Sequence, residues 1–174
     1  MKIRAAFVFV LALAALAPAP PAVASGEPSA TILSFGRYDT RRTGQVEKGE
    51  RTASGELRSV DAHRIIQETD EIVGILGNSF GIDLRLENFP PGPAMLTIRT
   101  LHPPLTNPKT GETMSISEYD WAVSMRDNVY FGYTFDHGWE IAEGTWTKQI
   151  LYNGRVIAEK KFKEAKDVLE KVKK

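Results

Sequence analysis

The sequence predicts an all-β domain folded as an antiparallel sandwich or barrel, with a short helix at its C-terminus. Three observations carry that expectation. Apolar side chains recur at every second position in a series of short runs, the period of a half-buried strand. Turn signals separate these runs at the spacing expected of stacked or closed sheets. The period changes beyond Phe162, where Ala165, Val168, Leu169 and Val172 fall at helical spacing. The 174 residues are 42% apolar and 25% charged, enough for one domain with a core of its own.

The N-terminus has a different character. Lys2 and Arg4 precede an apolar run over residues 5–17, too short to cross a bilayer of about 30 Å as a helix. Pro18, Pro20 and Pro21 break the run, and Ala22-Val23-Ala24 has the small-x-small pattern of a signal-peptidase site. Residues 1–24 are therefore expected to be a secretory signal cleaved near Ala24, with the mature chain periplasmic or secreted. A buried N-terminal helix explains that order of features less well. No cysteine follows the run, so a lipid anchor is not expected, nor is a transmembrane segment in the mature chain. The absence of cysteine also removes thiol chemistry and thiolate metal sites. With 22 basic and 22 acidic side chains, the chain has no general attraction to nucleic acid or anionic membrane, and nucleic acid is not an expected partner.

Residues 25–29 read as a linker and residues 30–163 as the β-domain. Weaker strand candidates lie at residues 31–38, 62–69 and 95–102. Residues 43–59, polar and carrying Gly44, Gly49 and Gly55, read as a mobile loop. Phe80, Ile82, Leu84 and Leu86 alternate with Asp83, Arg85 and Glu87 to give a half-buried strand. Tyr119, Trp121, Val123 and Met125 form a second stripe, and Val129, Phe131, Tyr133 and Phe135 a third. Asp127-Asn128 between them is placed to close a hairpin.

In the last hairpin Trp146, Ile150, Val156, Ala158 and Phe162 all occupy even positions. A two-residue Asn153-Gly154 turn pairs even with odd positions, which would split that set across both faces. A three-residue Tyr152-Asn153-Gly154 loop keeps it together and is the expected form. Lys148 and Lys160 would share the same face near its open end, with Lys160 over Trp146. Residues 164–174 read as a lysine-rich amphipathic tail. Its lysines either solvate the outer face of a docked helix or meet an acidic partner or membrane surface.

Few constellations carry chemistry. Gly77-Asn78-Ser79-Phe80-Gly81 has the letters of a nucleophile elbow, but it leads into a strand where that motif needs a helix, so it reads as a turn. His63, His102 and His137 are the only histidines, and they are widely spaced. They make a metal site only if the fold brings them together. Asp136, His137 and Glu140, with Glu143 nearby, form an acidic loop that is the first candidate for a catalytic pair. Asn107-Pro108-Lys109-Thr110-Gly111 lacks the core of a phosphate loop and reads as a turn. Among the aromatics, most of which belong in a core, Tyr130 and Trp139 are the candidate contact residues. Nothing calls for a cofactor.

Several segments also resemble a family of small exported bacterial proteins known only as a domain of unknown function, number 3859. They are Ser79-Phe80-Gly81, His102-Pro103-Pro104 through Asn107-Pro108, Lys109-Thr110-Gly111, Gly132-Tyr133 through Phe135, Gly138-Trp139-Glu140, Gly144-Thr145-Trp146, and Tyr152-Asn153-Gly154 through Glu159-Lys160-Lys161-Phe162. The resemblance implies an immunoglobulin-like sandwich and no activity, and the tail after Phe162 stands outside it. The leading functional expectation is an exported, non-enzymatic binding or accessory module that presents loops or an edge strand to an envelope protein or polymer. A hydrolase of envelope polysaccharide or ester built on Asp136, His137 and Glu140 is the rival. A carrier of a metal or small ligand is the third reading.

Overall fold

The computed structural model describes residues 26–124 and 128–166. The strongest alternation in the chain builds its centre. Phe80, Ile82 and Leu84 are fully buried on one face of a strand while Arg85 stays in water. Leu96, Ile98, Trp146, Ile150 and Phe162 meet them from a second sheet. Phe80 makes edge contacts with Trp146 and Phe162, at centroid distances of 5.8 and 5.1 Å. Aromatic pairs in that geometry add about 0.5–1.5 kcal/mol to what burial supplies.

Among the described residues, nine strands make the two layers: β1 (Ser29–Lys48), β2 (Glu56–Glu68), β3 (Glu71–Gly74), β4 (Ser79–Glu87), β5 (Ala94–Thr106), β6 (Thr113–Val123), β7 (Val129–Thr134), β8 (Gly144–Tyr152) and β9 (Arg155–Lys166). One sheet runs β2-β1-β4-β7 and the other β3-β9-β8-β5-β6. The described helical structure is the 3-10 turn Gly138–Glu140. The expected all-β sandwich is therefore present, and every pairing is antiparallel except that of β3 with β9. No helix among the described residues is long and apolar enough to cross a membrane.

The structure corrects several expectations. The second and third stripes do not form a hairpin: β6 pairs with β5 and β7 with β4, so the connection passes from one sheet to the other. Residues 43–48 and 56–59 are strand, continuing the β1–β2 hairpin into a long arm. Beyond Tyr38, β1 leaves β4 and pairs with β2 alone. The tip of the arm then docks on the opposite sheet. There the Ala53 N–H donates to Ser117 Oγ, the Glu118 N–H to the Arg51 carbonyl, and Asn107 Nδ2 to the Ala53 carbonyl. A polar segment exposed along most of its length gives alternation little to read, which is why it looks like a loop.

The last hairpin does keep its even set together, but by another device. Its turn is two residues, with Tyr152 opposite Arg155 and both Asn153 and Gly154 at positive φ (50° and 77°). A bulge at Ile157 then shifts the register by one residue, so that Ile150 faces Ala158 and Trp146 faces Phe162. Val156 lies on the turn side of the bulge and leaves the set, at 43% exposure. Lys148 is deep in the inward face and not at its open end. Lys160 sits over the Phe35 ring, 3.5 Å from its centroid, and not over Trp146.

The tail begins as strand. Residues 164–166 belong to β9, and Ala165 pairs with Val73 of β3, so the expected helix does not start there. The rest of that helix, the signal segment 1–24 and the Asp127 position of the expected turn lie outside the described residues. Deleting Ile157 should return β9 to the wrong parity and turn Ala158 and Phe162 outward. Urea denaturation of that variant should register a loss above ~3 kcal/mol, whereas Val156→Thr should cost under ~1 kcal/mol.

Candidate functional site

The arm spans the side of the sandwich where β7 ends one sheet and β6 ends the other. A cleft of about 360 Å³ lies beneath it. Its floor depends on two glycines. Phe131 points into the core, so Tyr130 and Gly132 face the other way, and Gly132 pairs with Gly81 of β4. Without side chains these two leave a trough that the Tyr130 ring fills. A Cβ on Gly132 would lie 2.1 Å from the Tyr130 hydroxyl, and one on Gly81 3.0 Å from its ring. His63 stacks on Tyr130 at 4.5 Å, and its Nε2 lies 2.7 Å from Asp83 Oδ1. The Tyr130 hydroxyl is buried without a hydrogen-bond partner among the described residues. Burial, reinforced by nearby Tyr38 and Asp83, holds its pKa well above the usual phenol range, so it remains a donor.

The cleft walls are mixed. Trp121 of β6 is 40% exposed and sets an aromatic face beside Tyr119. Arg42 grips Asp136 through both carboxylate oxygens, at 2.7 and 2.9 Å, and Arg58 Nε approaches the same carboxylate at 3.5 Å.

Past Gly132 and Tyr119 the cleft shares walls with an inner chamber of about 120 Å³ that reaches Lys148. Lys148 is 1% exposed, and its Nζ donates to Thr100 Oγ1 at 2.9 Å and to the Gly132 carbonyl at 3.2 Å. Both partners are neutral, and burial drives its pKa down to about 7. Glu140, on the same chamber wall, is the opposite case. It accepts hydrogen bonds from the Tyr133 hydroxyl at 3.0 Å and from the N–H groups of Asp136 and His137 at 2.7 Å each. Burial raises its pKa, and those hydrogen bonds work against the rise. His102, buried next to Trp146, bonds the Pro103 carbonyl through Nδ1 and Ser117 Oγ through Nε2. Burial lowers its pKa and favours the neutral ring, in which Nδ1–H donates to the carbonyl and Nε2 accepts from the Ser117 hydroxyl.

The family model described as "Domain of unknown function (DUF3859)" matches residues 27–163. The chain belongs to this family. An immunoglobulin-like protein from Pseudomonas aeruginosa superposes on the DUF3859 domain with a TM-score of 0.59 at 23% identity, covering 80% of this chain and 98% of that one. The sandwich is thus immunoglobulin-like, and at that identity the likeness concerns the fold alone. The Pseudomonas fluorescens alkylpurine DNA glycosylase AlkC overlaps with a TM-score of 0.34 at 15% identity, over 55% of this chain and 27% of its own, and carries no argument. No curated protein matches the chain.

Within the DUF3859 domain, Asp136, His137 and Glu140 do converge on one wall of the inner chamber. Each is already engaged: Asp136 by two arginines, Glu140 by three donors, and His137 by stacking on Trp139 at 5.6 Å. Glu143 lies in a separate hollow beside β3 and β9. Trp139 packs against the core, and Tyr130 floors the cleft. The three histidines are not brought together. His63 lines the cleft, His137 the chamber and His102 neither, and no group among the described residues is placed to hold a metal ion. Ser79 Oγ is bonded to Thr40 and Thr134.

Sequence reasoning missed Trp121, Arg42, Arg58 and the burial of Lys148. Only Lys148 had left a signal, its parity with Trp146 and Ile150. Because Lys148 is depressed from its ordinary 10.5 to about 7, burial disfavours its charged form. That cost is fully present below pH 7 and fades as pH rises towards 10.5. The stability of Lys148→Met relative to the parent, followed by urea titration, should therefore be greatest at pH 6. It should decline by roughly 1–4 kcal/mol by pH 10.

Proposed function

We propose that the DUF3859 domain is an exported binding module of the bacterial envelope, and that its ligand lies in the cleft beneath the β1–β2 arm. One observation carries this reading: an open cleft in which an exposed Trp121 face, the Tyr130 floor and two arginines converge. Binding clefts characteristically join aromatic walls to a few convergent polar groups. The chemistry suits a polyhydroxylated ligand such as a sugar unit of an envelope polymer. Its ring face would lie on Trp121, and its hydroxyls would accept from Arg42 and Arg58 and donate to Asp61 and Glu47. A non-enzymatic role is favoured because Asp136 is paired with Arg42 and Arg58, and both Glu140 oxygens are taken by Tyr133 and two backbone N–H groups.

Titration with fragments of envelope polysaccharide, followed by tryptophan fluorescence, tests the reading. Trp121→Ala should weaken binding at least tenfold with an unchanged urea midpoint, and undiminished binding by that variant would remove the cleft from consideration. Alanine at Glu140 should leave any polymer-degrading activity of the preparation unchanged; its loss would restore the hydrolase reading. Export rests on the order of charge, apolar run, prolines and Ala22-Val23-Ala24. Mass spectrometry of the mature protein should find its first residue at or near Ser25, in the periplasm or medium.

A further inference from the structure

We propose that the inner chamber is a carboxylate-binding site, with the Lys148 ammonium as its cation and the Thr100 hydroxyl as a second donor. The site deepens the reading of the cleft, since the carboxylate would belong to the ligand seated there, but its own geometry stands apart from Trp121. An ammonium has three hydrogens. Lys148 directs two at neutral acceptors, Thr100 Oγ1 and the Gly132 carbonyl, and no ion pair to it exists among the described residues. A buried cation without a counter-ion is a costly arrangement, and Lys148 is 1% exposed between Trp146 and Ile150 on the inward face of β8.

The surrounding groups do not supply the missing charge. From β5, His102 is favoured neutral and bonded to Ser117 of β6. From β7, Tyr133 donates its hydroxyl to Glu140. Glu140 spends its oxygens on that hydroxyl and two backbone N–H groups, and Asp136 on arginines. His137 stacks on Trp139, and Glu56 of β2 pairs with Arg58. What remains at Lys148 is space. The chamber of about 120 Å³ has roughly four times a water's share of the liquid, enough for a carboxylate, and it meets the cleft at Gly132 and Tyr119. A single negative charge matches the single lysine, whereas a dianion such as sulfate would carry a surplus charge beside Glu140. The ligand class is thereby narrowed to an acidic one, such as a sugar acid.

Acetate, small enough to probe the chamber alone, provides the test on the full mature chain. At pH 6 and constant ionic strength, acetate at ten times its dissociation constant should raise the thermal midpoint by roughly 3–6 °C, and chloride should not. The rise should vanish at pH 9, where the amine is neutral, and in Lys148→Met. The Lys148 side-chain amine, followed by NMR, should titrate at higher pH in acetate. An equal rise in Lys148→Met, an unmoved amine titration, or a sulfate effect matching that of acetate would overturn the proposal. Should Lys148→Met fail to fold, Thr100→Val takes its place, and an undiminished acetate response there counts against the site. Neutral saccharide binding read at Trp121 is a separate measurement, so failure of the chamber and failure of the cleft are distinguishable.

Discussion

One extra residue in β9 decides which of its side chains face the core. The two-residue turn at Asn153-Gly154 would by itself pair even with odd positions, and the bulge at Ile157 restores the match a few residues on. Ala158 and Phe162 reach the core through that shift, opposite Ile150 and Trp146, and Phe80 packs against both Trp146 and Phe162. The β9 half of the core is therefore a consequence of one local irregularity, whereas Lys148 follows the alternation of β8.

The β1–β2 arm gives the sandwich its particular surface. Its root is a conventional part of one sheet and its tip is tied to the other through Ser117, Glu118 and Asn107. The tip is held by backbone groups of residues 51 and 53 and by the Arg51 guanidinium, which pairs with Glu118 and Asp120. Arg42, Arg58 and His63 line that cleft from the arm, opposite Trp121 and Tyr130. A strap anchored at both ends defines a cavity better than a loop anchored at one, because less conformational freedom remains to be lost on binding.

Two buried ionisable groups share the inner chamber and differ in how their charges are met. Glu140 is surrounded by donors from its own turn and from Tyr133, the pattern of a carboxylate that organises the loop holding it. Lys148 has only neutral acceptors. The glycines at 81 and 132 point the same way: they give up side-chain packing so that a tyrosine can lie in the floor with its hydroxyl unpartnered. Polar groups left incomplete in this manner lower stability.

Alternation along residues 80–87, 129–135 and 146–162 was enough to read an all-β sandwich and most of its inward residues, because period two is a property of neighbouring residues in a strand. The acidic loop at 136–140 was also legible as a feature, and it does line the chamber, although its carboxylates proved to be engaged. What the chain could not disclose by itself are relations between distant segments. These are the pairing of β6 with β5, the reach of the arm to Ser117, the meeting of Gly81 with Gly132, and the neutral company of Lys148. Local pattern determines which face of a strand is greasy. Whether a buried charge finds its partner depends on which strands fold against it, and only the tertiary structure decides that.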